Sequence, residues 1–254
     1  METGEHVRNE SVEPEAVVQV LEGSADKEAV VQVRNVTVDF GSEHVLKKIT
    51  HDFNRGLIHG IIGNNGSGKT VLMKCICGFL LPTKGAIIVN GKRVGKDVDF
   101  PPDLGIIIET PGFLPHVSGS KNLEILAALN KRVSRDEITA SIRRVGLDPT
   151  IKKPVSKYSL GMRQRLGIAQ AIMENPRLLI LDEPFNGLDK QGVREMRDLI
   201  KGLMAEGKTI ILASHIQDDI DDLCDTVCEI DAGVLTVLRE ERYGKMRRKK
   251  KCSQ

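Results

Sequence analysis

The octapeptide GNNGSGKT, from Gly63 to Thr70, constrains the fold of this chain more than any other stretch. It follows the apolar run GLIHGII and precedes KTVLMKCICGFL, in which we predict a helix. A G-x-x-x-x-G-K-[ST] pattern between a strand and a helix is the sequence context of a phosphate-binding loop. Glycines there allow successive backbone N–H groups to curl around phosphate oxygens. The flanking elements disfavour the alternative, which is an ordinary glycine-rich turn.

Two side chains of this loop have a predicted chemical role in addition to that of the backbone. We expect Lys69 to reach the β- and γ-phosphates of a bound nucleotide and Thr70 to bind Mg²⁺. The predicted cofactor-binding residues of this segment are Gly63, Asn64, Asn65, Gly66, Ser67, Gly68, Lys69, Thr70 and Val71.

An acidic pair, Asp182 and Glu183, ends the apolar run LLILDEP. We predict that Asp182 belongs to the Mg²⁺ shell and that Glu183 polarises an attacking water. Acidic residues at the end of a strand are common, and most of them are structural. Together with a phosphate-binding loop, however, this pair predicts nucleotide hydrolysis.

The remaining sequence alternates between strand and helix patterns. RLLILDEP and KTIILASH are short continuous apolar runs, typical of parallel strands that are covered on both faces. GAIIVNGKRV predicts a hairpin that turns at Asn90-Gly91, and CEIDAGVLTVL predicts a second one. Helices are expected between about Ser118 and Val145, with a capping box from Ser134 to Glu137. The pattern indicates an α/β core interrupted by a helical insertion.

The two ends of the chain differ in charge from its middle. Residues 1–30 hold eight acidic and two basic residues, whereas residues 242–254 hold seven basic residues and no acidic one. Charge between these ends is mixed, so we expect no nucleic-acid partner. The basic tail is either a solvated end or a segment that lies against an anionic membrane surface.

These compositions suggest the domain organisation. We predict a flexible acidic extension over residues 1–28, one domain over residues 29–241 with the helical insertion at about 110–165, and a basic tail over residues 242–254. The hexapeptide EAVVQV occurs at Glu15–Val20 and again at Glu28–Val33, and the second copy is predicted to be the first core strand.

No apolar run approaches the roughly 18 residues that a membrane span needs, and the acidic N-terminus has no apolar signal region. We therefore expect a cytoplasmic chain.

The cysteines of this chain are expected to be reduced and packed in the core rather than bound to metal. Cys75 and Cys77 should point to different sides of one helix, whereas Cys224 and Cys228 should share a face. The cysteines are Cys75, Cys77, Cys224, Cys228 and Cys252.

Four motifs that follow the phosphate-binding loop in a fixed order, LLILDEP among them, carry a family resemblance together with Phe40 before the loop. The chain resembles the nucleotide-binding subunit of ABC transporters over roughly residues 31–240. SLGMRQR stands in the place of that family's signature sequence, and NGLD, at Asn186–Asp189, resembles its D-loop. His215 in ILASHI resembles the switch histidine, and Phe40 in VDFG matches the aromatic residue that stacks on adenine.

The resemblance implies a fold, cofactors and partners. The fold is a P-loop NTPase core with a parallel sheet, an antiparallel β subdomain and an inserted helical subdomain. ATP and Mg²⁺ are the implied cofactors, with Glu183 and His215 catalytic and Asp189 at the nucleotide. Ser159 and the Gly161 backbone would contact the γ-phosphate held by a second ABC ATPase subunit, identical or paralogous. Separate transmembrane permease subunits would place the chain on the inner face of the membrane.

Several positions depart from the family pattern. Leu160 and Met162 replace a glycine and a glutamine of the signature sequence, while Val71 replaces a second hydroxyl residue after Thr70. Glu109 takes the place of a glutamine, and its carboxylate is expected to approach Mg²⁺ or the attacking water. Lys121 replaces the Glu of a capping box that begins at Ser118, so that helix loses one reciprocal bond.

IETPGFLP, SLGM and NGLD together resemble bacterial exporters of the bacitracin and lantibiotic resistance type. The implied function is to power export of peptide antibiotics or other toxic compounds, with Thr110 to Asn122 as the docking surface for the membrane subunit. A plain surface loop is the alternative for that stretch. Two other functions stay open: a soluble single-cassette ABC ATPase on a non-transport scaffold, and a sensor that binds nucleotide without turnover.

Overall fold

A computed structural model describes residues 28–109 and 112–240. Predictions for the N-terminal extension and the first EAVVQV copy, for Thr110, and for Cys252 with the rest of the basic tail lie outside these residues. The strands are β1 (Ala29–Phe40), β2 (Glu43–Asn54), β3 (Ile58–Ile62), β4 (Lys84–Val89), β5 (Lys92–Arg93), β6 (Leu104–Ile107), β7 (Leu178–Asp182), β8 (Thr209–Ala213), β9 (Thr226–Asp231) and β10 (Val234–Arg239).

Within residues 28–109 and 112–240, six helices accompany these strands, and a short 3₁₀ turn at Val155–Lys157 precedes the fourth. None of the helices in the described ranges is long and apolar enough to cross a bilayer. The helices are α1 (Lys69–Cys77), α2 (Gly119–Asn130), α3 (Arg135–Arg144), α4 (Leu160–Ile172), α5 (Lys190–Ala205) and α6 (Gln217–Leu223).

Two sheets make up the β structure. The larger has the order β10-β9-β3-β8-β7-β6, in which only the pairing of β10 with β9 is antiparallel. The smaller has the order β2-β1-β4-β5 and is antiparallel throughout. The parallel core, the antiparallel sheet and the helices α2 and α3 between β6 and α4 confirm the predicted fold class.

The central parallel strands are buried on both faces, as their continuous apolar sequences predict. Leu179 and Leu181 of β7 belong to the core that the helical insertion, α5 and α6 cover. Leu178 and Ile180 point the other way, into a core shared with α1 and the antiparallel sheet. Because the carboxyl ends of parallel strands meet at one edge of a sheet, β3, β7 and β8 deliver their following loops to the same place.

β1 contains a bulge at Asn35, which the spacing of its buried valines reflects. Val31 and Val33 are buried, and so are Val36 and Val38, which means that the spacing changes from two to three. Asn35 lies between the two pairs with φ 48°, and the register with β2 shifts there. This bulge keeps both halves of the strand facing the core. The second EAVVQV copy therefore starts the first strand, as predicted.

Two local predictions need correction. The first helix ends at Cys77 and does not continue through Leu80, because Gly78 takes a left-handed conformation with φ 83°. Cys224 and Cys228 do not share a helical face, since Cys224 follows α6 and Cys228 lies in β9.

The cysteines of the described ranges lie in the core, as predicted. All four cysteines of the described ranges are buried, and burial raises the pKa of each thiol to about 12. Such thiols are protonated at neutral pH and poor metal ligands. Within those same ranges, no cluster of three or more His, Cys, Asp or Glu residues could hold a metal ion.

A buried histidine, His59, joins β3 to its neighbours. Its Nε2 atom donates to the Asn54 carbonyl oxygen at 2.8 Å, so its Nδ1 atom accepts from the Thr226 hydroxyl at 2.7 Å. Burial lowers the pKa of His59 from 6.5 to about 4. The folded protein therefore holds this imidazole in its neutral form.

The His59 environment predicts a pH-dependent stability. Because the folded pKa is depressed, the contribution of His59 is complete above pH 6.5 and is lost as the pH falls toward 4. In this window the unfolding free energy should decrease by up to about 1.4 kcal/mol per pH unit through this residue. Urea unfolding of the parent and of His59→Gln should show a stability difference that is largest near pH 7 and shrinks toward pH 5. A difference independent of pH would contradict the assignment.

Candidate functional site

The phosphate-binding loop lies between β3 and α1, where two of its glycines are sterically required. Gly63 and Gly68 have φ values of 141° and 112°. A Cβ atom at Gly63 would overlap the carbonyl oxygen of Ile230, and one at Gly68 would lie 2.6 Å from Leu46 Cδ2. The loop therefore passes directly against the core, and only glycine allows that approach.

The interior of the loop presents groups suited to an anion. Lys69 is only 6% exposed, and its Nζ atom donates to the carbonyl oxygens of Gly63 at 2.7 Å and Asn64 at 3.1 Å. The hydroxyl oxygen of Ser67 is buried and has no hydrogen-bond partner among the described residues. A buried cation beside an unsatisfied hydroxyl at a helix N-terminus fits the phosphate chain of a nucleotide.

Thr70 and Asp182 meet directly at this site. The Thr70 hydroxyl donates to Asp182 Oδ2 at 2.6 Å and so ties the start of α1 to the end of β7. Burial raises the pKa of the Asp182 carboxyl, while the Thr70 hydrogen bond and the charge of Lys69 act in the opposite direction. A hydroxyl and a buried carboxylate in contact are oxygen ligands of the kind that Mg²⁺ prefers, so these two residues fit the predicted metal site.

A cavity of about 190 Å³ lies in front of the loop and includes one residue that the sequence analysis missed. Val45 of β2 lines it, because the carbonyl oxygen of Val45 approaches Gly68. Phe40 lies at the end of β1, is 50% exposed and does not line this cavity. The loop residues lining the cavity are Asn65, Gly66, Gly68, Lys69, Thr70 and Val71, together with Asp182 and Glu183.

Phe40 is carried by a turn that a polar contact closes. The carboxylate of Asp39 pairs with His44 Nδ1 at 2.6 Å, across the tight turn that joins β1 to β2. The aromatic ring thus stands exposed on a braced turn, five residues before Val45.

Glu183 and His215, which were predicted separately as catalytic residues, are in direct contact. His215 Nδ1 lies 2.9 Å from Glu183 Oε2. Glu183 has a left-handed backbone with φ 48°, and its N–H donates to the Ala213 carbonyl oxygen at 2.9 Å. Its own carbonyl oxygen accepts from Gln164 Nε2 at 3.3 Å, which ties helix α4 to the backbone of Glu183.

Buried hydrogen bonds of Ser214 and Asp219 hold the segment that carries His215. Ser214 donates to Asp219 Oδ2 at 3.0 Å and accepts the Ile216 N–H at 3.1 Å. Asp219 is fully buried and also accepts from Arg197 Nε of α5 at 3.0 Å. These buried contacts define the backbone on both sides of His215, which together with Gly63 and Asn64 lines a cleft of about 320 Å³.

Glu109 forms an ion pair that the sequence did not predict. It follows β6 with φ 60°, and its Oε1 atom lies 2.6 Å from Lys74 Nζ of α1. Glu109 also lines a cleft of about 510 Å³ with Asp182 and Glu183. The carboxylate therefore lies near the acidic pair, and it is held by a lysine for which the sequence predicted no role.

The signature segment packs against the D-loop of the same chain. Ser159 caps α4 by accepting the Met162 N–H at 3.1 Å, and Leu160 beside it is 54% exposed. A Cβ atom at Gly161 would lie 2.8 Å from the Gly187 carbonyl oxygen, and a Cβ atom at Gly187 would overlap Leu160 Cγ. The two glycines thus permit a close backbone contact, over which the Leu160 side chain lies.

Some predicted residues do not meet in one chain. Ser159 and Gly161 do not line the cavity in front of the phosphate-binding loop. Asp189 uses its carboxylate to cap α5, accepting the Gly192 N–H at 2.7 Å. Ser159 and Asp189 are the N-cap residues of α4 and α5, and their predicted contacts with a nucleotide stay predictions.

A phosphate-binding loop, an acidic pair after the adjacent parallel strand and a helical insertion define a nucleotide-binding P-loop ATPase. Residues 46–186 match the ABC transporter family. The chain belongs to this family and is an ATP-binding ATPase subunit of an ABC transporter. The family prediction is thereby confirmed.

Curated relatives agree with this assignment. The chain is 43% identical to the uncharacterized ABC transporter ATP-binding protein YybJ of Bacillus subtilis, covering 79% of this chain and 92% of that protein. It is 41% identical to the bacitracin transport ATP-binding protein BcrA of Enterococcus faecalis, covering 77% and 64%, so it spans just under two thirds of that relative. It is 36% identical to the lantibiotic transport ATP-binding protein SrtF of Streptococcus pyogenes, covering 79% and 86%.

Among solved structures, an ATP-binding subunit of an ABC transporter superposes with a TM-score of 0.74 at 27% identity. The match covers 87% of this chain and 93% of that chain. The resemblance to the bacitracin and lantibiotic branch, made on SLGM and NGLD, agrees with the relatives.

The Leu160–Gly187 contact predicts a compensating pair of substitutions. Gly187→Ala should cost about 1–3 kcal/mol through overlap with Leu160, in addition to its left-handed backbone strain of about 1–2 kcal/mol. Adding Leu160→Ala should recover most of the overlap part of the loss, since it removes Leu160 Cγ and Cδ2 and leaves only the Cβ atom at 3.1 Å. Urea unfolding of both single variants and of the double variant measures this coupling.

Gly202→Ala is the matched control, because Gly202 lies within α5 and has open space around it. That substitution should stabilise the protein slightly through helix propensity. Purely additive effects of the two substitutions at 160 and 187 would show that the contact is not tight.

Proposed function

We propose that this chain hydrolyses Mg²⁺-ATP at the shared interface of a dimer of ABC cassettes and that the cycle powers export through separate membrane subunits. The contact between Glu183 and His215, at the rim of the phosphate-binding loop, carries the proposal. A carboxylate that accepts a proton from water needs an orienting partner, and His215 is placed for that task. This pair also favours turnover over a sensor that only binds nucleotide.

The residues around the loop divide the chemistry among them. Lys69 and the loop N–H groups bind and orient the phosphates, and Thr70 with Asp182 holds the cation. When bound, Mg²⁺ neutralises charge on the phosphates and favours attack on the terminal one. Glu183 accepts the proton of the attacking water, and His215 keeps that carboxylate in position.

A second cassette supplies the remaining contacts in this proposal. Ser159 and Gly161 lie outside the chain's own phosphate cavity, at the N-terminus of α4. The first N–H groups of a helix and the positive end of its dipole attract an anion. The terminal phosphate of an ATP held by a partner cassette, identical or paralogous, satisfies them.

The membrane subunit would dock near the segment that follows Glu109. In its described part, Leu114 is half exposed and its backbone is clasped by the Asn122 side chain, which accepts the Leu114 N–H at 2.7 Å and donates to its carbonyl oxygen at 3.1 Å. A loop braced at its base presents an apolar side chain in a defined position. Peptide antibiotics or other toxic compounds are the proposed cargo, since relatives are named for bacitracin and lantibiotic transport.

Glu183→Gln tests the catalytic assignment. The amide keeps the shape of the side chain but does not accept a proton, so ATP turnover should fall about 100-fold or more. Affinity for a non-hydrolysable ATP analogue should stay near that of the parent. Glu174→Gln, which changes an exposed carboxylate just beyond the C-terminal end of α4, is the control and should retain full turnover.

Cells that lack the chain provide the transport readout for the same pair of variants. Tolerance to an exported peptide antibiotic should be restored by Glu174→Gln and not by Glu183→Gln. Near-normal turnover in Glu183→Gln would remove Glu183 from its proposed role.

Mixed dimers test whether Ser159 acts on the partner's nucleotide. Lys69→Ala disables the phosphate-binding loop of one subunit, and Ser159→Arg disables the signature segment of the other. One composite site then carries both lesions and the other site carries none, so the mixture should recover up to about half of the parent turnover per dimer at one intact site. Absence of recovery in purified mixed dimers would contradict action in trans.

A further inference from the structure

The helix that follows the phosphate-binding loop makes two similar polar contacts one turn apart. Thr70 donates to Asp182, and Lys74 donates to Glu109 at 2.6 Å. Positions i and i+4 lie on the same face of a helix. That face of α1 therefore supplies a donor to each of two carboxylates, at the ends of the adjacent strands β7 and β6.

The two carboxylates belong to one electrostatic environment. Asp182 and Glu109 line the same cleft, and Asp182 also lines the phosphate cavity. A nucleotide brings several negative charges to that cavity, and each uncompensated carboxylate nearby would repel them. Glu109 replaces a neutral amide of the family pattern, so the site carries one more negative charge than a glutamine would give it.

We infer that Lys74 is a positioning residue that holds the Glu109 carboxylate against α1 and neutralises its charge toward the bound nucleotide. The side chain of Lys74 is only one third exposed, whereas that of Glu109 is 63% exposed, so the lysine is the better anchored partner. The role of Lys74 is then electrostatic and depends on Glu109, and Lys74 does not itself bind phosphate. This inference rests on the proposed binding of ATP at the loop.

A set of variants that removes the charge at position 74, at position 109 or at both, called the charge ladder below, tests the inference. Equilibrium binding of the full chain to a non-hydrolysable ATP analogue is measured in EDTA for the parent, Lys74→Met, Glu109→Gln and the double variant. Lys74→Met leaves an unpaired carboxylate and should weaken binding about fivefold, the scale of one nearby charge at the surface of a protein. The double variant has the net charge of the parent and should bind like the parent, while Glu109→Gln should bind as well or more tightly.

Salt and Mg²⁺ provide a second readout that a merely structural role would not move. The loss in Lys74→Met should shrink as ionic strength rises, because salt screens exposed charges. It should also shrink at saturating Mg²⁺, because the cation supplies positive charge at the same edge of the site. Lys201→Met, which breaks a comparable exposed pair with Asp222 between α5 and α6, should leave nucleotide binding unchanged.

The outcomes separate this inference from the proposed function. If the double variant binds as weakly as Lys74→Met, Lys74 contacts the nucleotide itself and the inference is overturned. Should Lys74→Met fail to fold, the exchanged pair Lys74→Glu with Glu109→Lys keeps the net charge and gives the same test. Lys69→Ala is included because unchanged binding in that variant would overturn nucleotide binding at the loop, whatever the ladder shows.

Discussion

The hydrogen bond from Thr70 to Asp182 is the contact on which the rest of the site depends. It joins the first turn of α1 to the last residue of β7, and so fixes the phosphate-binding loop against the central sheet. Asp182 is largely buried, and a carboxylate in that position stays charged only with hydrogen-bond donors and positive charge nearby. Thr70 and Lys69 provide both, and they are the residues proposed to hold the cation and the phosphates. The interaction that ties this loop to the sheet is therefore made by the groups that a nucleotide would use.

Two further carboxylates at this edge are held by unusual backbone conformations. Glu109 and Glu183 follow adjacent parallel strands, and both have positive φ values, 60° and 48°. Such a conformation costs a non-glycine residue on the order of 1–3 kcal/mol. Glu183 offsets it with an N–H bond to Ala213, and Glu109 with its ion pair to Lys74. Both carboxylates line the same cleft at this edge of the sheet.

Local chemistry explains which features the sequence could predict. The phosphate-binding loop, the capping box at Ser134 and the hairpin at Asn90-Gly91 depend on residues within a few positions, and all are found where predicted. Other features depend on contacts between segments far apart in the chain, such as the approach of Val45 to Gly68. Lys74 combines both cases. Its position one helical turn after Thr70 follows from the sequence, whereas its contact with Glu109 joins segments that are far apart in the chain. The β1 bulge and the end of α1 at Gly78 were set by tertiary fit as well, since a Cβ at Gly78 would overlap the Asp99 carbonyl oxygen.

Helix α4 connects the two halves of the proposed dimeric site within one chain. Its N-terminus carries Ser159, which does not line the chain's own phosphate cavity, while Gln164 one turn later bonds to the backbone of Glu183. Leu160 adds a second link, because it rests on Gly187 in the segment that follows Glu183. Packed groups of this kind move together, since protein interiors have little free volume to absorb a shift. In the proposed dimer, a phosphate of the partner's ATP that binds the N-terminus of α4 and shifts this helix would therefore also shift Glu183, the proposed base for this chain's own nucleotide. In such a dimer, the short path from the signature segment to Glu183 would give the two ATP sites a physical reason to depend on each other.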